Sequence, residues 1–434
     1  MELDIVIARL RRLGSGLAGK IPRRAARYWL TALAVFVTAL WTAPFIDGRL
    51  ELTRERSWLF QQLSHATTNP TQPRNVKLLL IGDDEFWDGA LHHRTPIDKS
   101  YVAQLVRRLD EAEASVIALD FDVRLASPGR AVPPGDYVAV DSYEPYRIET
   151  DALIRAIDDV AQRRKIVLSK TILGPTGGPF TLGADIYQPY GICVHLGADG
   201  QWVNPGTPEF PLTQVAQRNL SCGYIALMPD KRQVPPPAQV EGEARRLDSF
   251  PLAIVRARDP AAAPAFASRP YYASYISEDL AMNPRITVSA HDLLADPLKA
   301  RSVLQGWPVI VGEAWHQRAK GSGGLVDVHE TPIGPVVGAL VHENMAEAML
   351  SNRIYPGLNG HGLLFMEALV GVLAALVFAA FTALWMRVLV VVASMALLFF
   401  IQWLTLQLFG VFFDAFIPVL GLGLHAIIDR MIGH

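Results

Sequence analysis

Asp83, Asp84, Asp120, Asp122 and Glu313 stand at or just after apolar runs that read as β-strands, which makes them the first candidates for chemistry. Asp83 and Asp84 follow Leu79 to Gly82, Asp120 and Asp122 follow Val116 to Leu119, and Glu313 follows Val309 to Gly312. In a parallel sheet all would lie at the carboxyl edge, where open α/β sheets bind ligands. Asp327 and His329 would be within reach of the same crevice. Carboxylates gathered there with no Arg between them repel one another. A hard cation such as Ca²⁺ or Mg²⁺, which is held by about six or more oxygens, would relieve that repulsion. The structural alternative is that Asp at a strand end caps the turn that follows. Both readings stay open at this level, and no other cofactor is expected.

Covalent catalysis has less support. A nucleophile needs a base within reach, yet His92, His93, His291, His316 and His342 are scattered. No Gly-x-Ser-x-Gly, His-Glu-x-x-His or phosphate-binding Gly-x-x-x-x-Gly-Lys-Ser/Thr motif occurs, and His342-Glu343 lacks a second His four residues on. The expectation is a protein that is not an enzyme. The 2 cysteines, Cys193 and Cys222, form no CxxC or Cys/His metal pattern. In an oxidising compartment they are candidates for a disulfide, with two small buried thiols as the alternative.

The elements that must position these residues alternate along the chain. Val76 to Gly82, Val116 to Val123 and Ile166 to Leu173 are continuous apolar runs, as in strands buried on both faces. Between them, Tyr101, Val102, Leu105, Val106 and Leu109 mark one helical face, and Leu153, Ile154, Ile157 and Ala161 another. This predicts an α/β domain with a largely parallel sheet. From Gly174 to Arg246 a Gly/Pro-rich excursion interrupts the alternation. The pattern resumes with a short helix after Ser249, a strand at Val309 and a last helix carrying Val341, Met345 and Met349.

Apolar segments bracket this domain. Residues 28–46 carry no charge and predict a first membrane span; 363–385, 388–408 and 411–428 predict three more. Glu367 and Asp414 are the acidic groups inside these spans, and such groups are either functional or close enough to the surface to reach the headgroups. Basic residues crowd segment 1–27, which precedes the first span, and Leu3, Val6, Ile7 and Leu10 recur there at helical spacing. That segment reads as cytoplasmic and amphipathic, against the lipid surface or a partner. Arg387 in a tight turn and Arg430 in the tail 429–434 would also face inward. The result is a four-span helical bundle, one span N-terminal and three C-terminal, with both termini cytoplasmic and residues 47–362 outside. A cleaved signal peptide is the competing reading of the first 46 residues.

Composition agrees with two environments. Over 434 residues the apolar share is 50%, and Lys+Arg 40 against Asp+Glu 42 gives a net charge of −2. That balance offers no electrostatic footprint for nucleic acid.

The arrangement resembles the CHASE2 family of bacterial extracytoplasmic sensory domains. The matching pieces are Leu79 to Asp84, the Pro96 turn, Val116 to Asp120, an Asp151 that opens the next helix, Gly223-Tyr224-Ile225 and Phe250 to Val255. The most specific block runs from Trp307 to Gly312, then Asp327 to Pro332, then Gly338 to His342. Asp230-Lys231-Arg232-Gln233 and His342-Glu343 depart from the family pattern. The resemblance implies a periplasmic sensor in the bacterial inner membrane, working as a homodimer or larger assembly. Family members usually continue into an output domain, whereas this chain ends shortly after Ile428. The expectation is therefore a receptor subunit without its own output domain, signalling through its spans to a separate partner. The alternative is a structural docking subunit of an envelope complex.

Overall fold

The computed structural model describes residues 52–65, 75–95, 97–121, 138–139, 143–170, 181–182, 195–196, 202–203, 212–228, 231–240, 246–261, 271–275, 284–316, 326–357 and 384–412. They fall into two compact units, Phe60–Ile354 and a second made of Met1–Leu59 with Tyr355–His434.

The larger unit is built on six strands: β1 (Lys77–Ile81), β2 (Val116–Leu119), β3 (Lys165–Lys170), β4 (Leu220–Tyr224), β5 (Thr287–Ser289) and β6 (Pro308–Glu313). Their order is β5-β1-β6-β2-β3-β4, and every neighbouring pair is parallel. The domain is thus α/β with a parallel sheet. The strand late in the chain, β6, is inserted between β1 and β2. Its register sets Ile81 opposite Glu313 and Leu119 opposite Val311.

Side chains alternate across the sheet, as the two-residue period of a strand requires. Leu79, Ile81, Ile117, Leu119, Ile166, Leu168, Val309 and Val311 face one core. That core is closed by α1 (Lys99–Glu111), α2 (Tyr143–Ala161), α3 (Gln214–Asn219), α5 (Ala290–Ala295) and α6 (Pro297–Leu304). Leu78, Leu80, Ala118, Val167 and Ile310 face a second core under α4 (Phe250–Arg258) and α7 (Gly338–Leu350). Burying each such Leu or Ile contributes about 1.5–3 kcal/mol, which is why continuous apolar strands select this three-layer arrangement.

Local signals start the helices. The Asp98 side chain accepts from the Ser100 N–H at 2.7 Å, and Thr213, Ser289 and Asp296 cap α3, α5 and α6 in the same way. Two readings are corrected. Asp151 does not open a helix: α2 begins at Tyr143, and Asp151 lies buried inside it with its carboxylate 3.6 Å from Arg147. An acidic residue one turn beyond a basic one supports a helix interior as well as a start. The Gly/Pro-rich excursion is not continuous either, because Leu220–Tyr224 returns to the main sheet as β4, beside β3.

In the other unit, α8 (Leu384–Phe409) is one continuous helix, followed by Gly410 at φ +59°. It takes in Trp385 and Arg387, so the turn expected at Arg387 is helix instead. Neither Pro nor Gly stands there to break the hydrogen-bond ladder. Among the described residues, Val392–Phe409 is the one stretch long and apolar enough to cross a membrane, so four spans are not seen. Segment 1–27, span 28–46 and nearly all of spans 363–385 and 411–428, with Glu367 and Asp414, lie outside the described residues.

Candidate functional site: the acidic edge between the second and sixth strands

Parallel pairing of β6 with β2 brings Asp120 and Glu313 to neighbouring positions at the carboxyl edge. The Asp120 N–H donates to Val311 O at 2.9 Å, and the Ala314 N–H to Ile81 O at 2.9 Å, which carries the ladder up to both acids. Beyond β6, the Val326 N–H donates to Trp315 O at 2.9 Å. This leads into the antiparallel hairpin β7 (Val328–Thr331) and β8 (Gly334–Val337), and so into α7. Asp327 stands at the base of the hairpin in a left-handed conformation, φ +50°. Its carbonyl accepts from the Gly338 N–H at 3.0 Å, and its Oδ1 is 3.1 Å from His329 Nε2.

Gly338 and Gly312 show how close the approach is. A Cβ on Gly338 would lie 2.1 Å from Asp327 Oδ2 and 3.4 Å from His329 Nε2. A Cβ on Gly312 would lie 2.3 Å from the Ala339 Cβ. Two glycines therefore let the first turn of α7 press against β6 and let the Asp327 carboxylate rest on the helix start, where the partial positive charge of a helix N-terminus favours an anion.

The acids are coupled. Burial, reinforced by the Asp327 and Asp120 charges, pushes the Glu313 carboxyl up to about 8. Burial and the Asp327 charge push Asp120 up to about 7. Among the described residues no cation or hydrogen-bond donor offsets either shift. His342, one turn into α7, is 3% exposed, and its Nδ1 has no hydrogen-bond partner among the described residues. Burial holds His342 down at about 4; the Asp327 charge opposes this shift and His329 adds to it. The imidazole is therefore neutral at physiological pH.

The candidates separate. Asp120, Glu313, Asp327 and His329 come together. Asp83 does not join them: it accepts from the His316 N–H at 2.8 Å, and its Oδ2 is 2.8 Å from His316 Nδ1. Asp84 is exposed in the first turn of the short helix Asp83–Phe86. Asp122 lies outside the described residues. His342 and His316 appeared in the sequence only as scattered histidines and were not placed at this edge; the four-residue step from Gly338 to His342 was the available signal. Among the described residues, no three His, Cys, Asp or Glu groups stand close enough to hold a single metal ion. Cys222, buried on β4, is disulfide-bonded, and Cys193 lies outside the described residues.

A parallel α/β sheet with acids at its carboxyl edge offers a candidate site at the place where open α/β sheets bind ligands. Residues 31–384 match the CHASE2 domain. The chain belongs to the CHASE2 family, a family of extracytoplasmic sensory domains. Neither a curated protein nor a solved structure matches it.

Proposed function

We propose that this protein is a membrane-anchored periplasmic sensor of CHASE2 type, held in the bacterial inner membrane by one N-terminal and three C-terminal spans with both termini cytoplasmic. It binds its ligand at the acidic edge between β2 and β6 and passes the signal through its membrane helices to a separate partner. The observation that carries this reading is the meeting of the β2–β6 carboxyl edge with the start of α7, where Asp327 rests on Gly338 and Gly312 admits Ala339. Charge brought to that edge acts on the first turn of the helix after which the chain runs through Tyr355-Pro356-Gly357 toward the apolar segment at Leu363. Output is assigned to the partner, and the family resemblance makes the working unit a homodimer or larger assembly.

Paired reporter fusions near Gln201, one active only in the periplasm and one only in the cytosol, test the placement. Periplasmic signal is expected; cytosolic signal alone would end the reading. Co-purification in mild detergent tests the coupling. A partner whose retention changes with the medium is expected, whereas a stoichiometric partner held under every condition would make the chain a docking subunit.

A further inference from the structure

We infer that a buried polar latch fastens the two ends of the unit Phe60–Ile354 to each other, so that the helix by which the chain enters the unit and the turn by which it leaves open and close together. The inference rests on the sensor reading for its purpose and names the part that hands displacement to the apolar segments before and after this unit in the chain.

Both ends reach the same two residues. The helix Leu52–His65 carries Phe60, Gln61 and Ser64 into the unit, each of them 2% exposed or less. The strand Tyr271–Ala273 runs on into Ser274 and Tyr275, both fully buried. The Ser274 N–H donates to Arg353 O at 3.1 Å, and the next N–H, that of Tyr275, donates to Gln61 Oε1 at 3.2 Å. Gln61 Nε2 donates in return to Tyr275 O. A primary amide holds both a donor and an acceptor, so Gln61 serves Tyr275 as the backbone of a neighbouring strand would. The Ser274 hydroxyl donates to Ser64 Oγ at 3.0 Å, and the Ser64 hydroxyl to Gln61 O at 3.0 Å. One amide thus holds the exit and the next holds the entry.

The end of α7 joins the same network. The Arg353 N–H donates to Ala348 O, which folds the chain back onto the last turn of the helix. Glu347 accepts from the Asn75 and Val76 N–H groups at 2.6 and 3.0 Å, and its Oε1 lies 3.5 Å from an Arg353 guanidinium nitrogen. A helix of 13 residues is about 20 Å long, so α7 runs from Gly338, where Asp327 rests, to this latch. A shift of α7 therefore acts on Arg353 and, through Ser274 and Tyr275, on Gln61. Leaving a buried donor or acceptor unpaired costs more than its hydrogen bond contributes, which favours a network wholly made or wholly open.

Hydrogen exchange of the full-length chain in lipid nanodiscs, followed by mass spectrometry, tests this. Gln61→Leu should speed exchange over residues 347–354 about tenfold or more, the scale of one or two lost buried hydrogen bonds, while α1 keeps its wild-type rate. Acceleration confined to residues 60–65 and 271–275 would overturn the inference, because the two ends would then open independently. Should α1 accelerate as well, Gln61→Leu has lost global stability, and a second variant reads the coupling without removing the Gln61 contacts. Ser64→Cys with Ser274→Cys places thiols where hydroxyls stand 3.0 Å apart. Their oxidation to a disulfide should slow exchange over residues 347–354 relative to the wild-type chain. Failure to cross-link, or unchanged exchange there once the bridge has formed, would overturn the inference whatever Gln61→Leu does. None of these results moves the Gln201 reporters, so failure here is distinct from failure of the sensor reading.

Discussion

The Asp327 carboxylate occupies the space a side chain at Gly338 would need: Oδ2 would stand 2.1 Å from a Cβ there. Helix propensity alone predicts that Gly338→Ala stabilises the chain by up to about 1 kcal/mol. The packing predicts the opposite, a loss of about 1–3 kcal/mol from a crowded contact. Chemical denaturation of both proteins decides the sign. Asp327→Gly, which also suits the +50° φ at that residue, should recover most of the loss.

Stability should fall as pH rises above 6.5. Glu313 at about 8 and Asp120 at about 7 are raised above their unfolded values, so the folded chain binds more protons than the unfolded one. Their contribution is full below the unfolded values and is lost as pH climbs through 7 and 8. His342, lowered from 6.5 to about 4, acts in the other direction: its contribution is present above 6.5 and lost as pH falls through 4. The two oppose each other in the lower range and only the acids act above it. Thermal melts from pH 6.5 to 8.5 should show a declining midpoint, and Glu313→Gln should flatten the slope. A wild-type midpoint that is level across this range would contradict the raised acids.

Glu347 ties α7 to the entrance of β1. Its side chain is 1% exposed; Oε2 accepts from the Asn75 and Val76 N–H groups at 2.6 and 3.0 Å, and Oε1 lies 2.6 Å from Ser351 Oγ and 3.5 Å from an Arg353 guanidinium nitrogen. Glu347→Ala removes the acceptor from backbone donors and the counter-charge from buried Arg353, and should cost about 3–5 kcal/mol. Glu347→Gln keeps the shape and should cost less. Urea midpoints of the two variants measure the difference, and equal small losses would show that the carboxylate is not what holds these elements together.

On the opposite core, the Tyr101 hydroxyl donates to the buried Glu85 carboxylate at 2.5 Å, and His291 Nδ1 lies 3.1 Å from the same side chain. Burial first, then the Glu85 contact, raises the Tyr101 hydroxyl above the usual phenol range, so it remains a donor throughout the physiological range. Tyr101→Phe should destabilise by about 1.5–3 kcal/mol, as expected when a charged acceptor loses its donor. Glu85→Gln combined with Tyr101→Phe should lose less than the sum of the single variants. Additive losses in that cycle would show that the two side chains are not coupled.

The amino-acid order by itself determined the main-sheet strands β1, β2, β3 and β6, the buried faces of α1 and α2, and where the acids stand along the chain, whereas β4 and β5 were not legible in it. These are local properties: Leu78 to Ile81 and Ile117 to Leu119 are apolar at every position, so each needs cover on both faces wherever it pairs. Tyr101, Leu105 and Leu109 recur at the helical period and found their core as read. Periodicity assigns a face to a side chain; it carries no information about which strand lies alongside. The tertiary structure decided that β6 enters between β1 and β2, and this sets Glu313 beside Asp120 while Asp83 turns to His316. It also decided that α7 starts against Asp327 and sets His342 edge to face with Phe250, because long-range packing at Gly312 and Gly338 chooses the approach of that helix. The acids could be read one by one, but their coupling arises from distances that exist only once the sheet has closed.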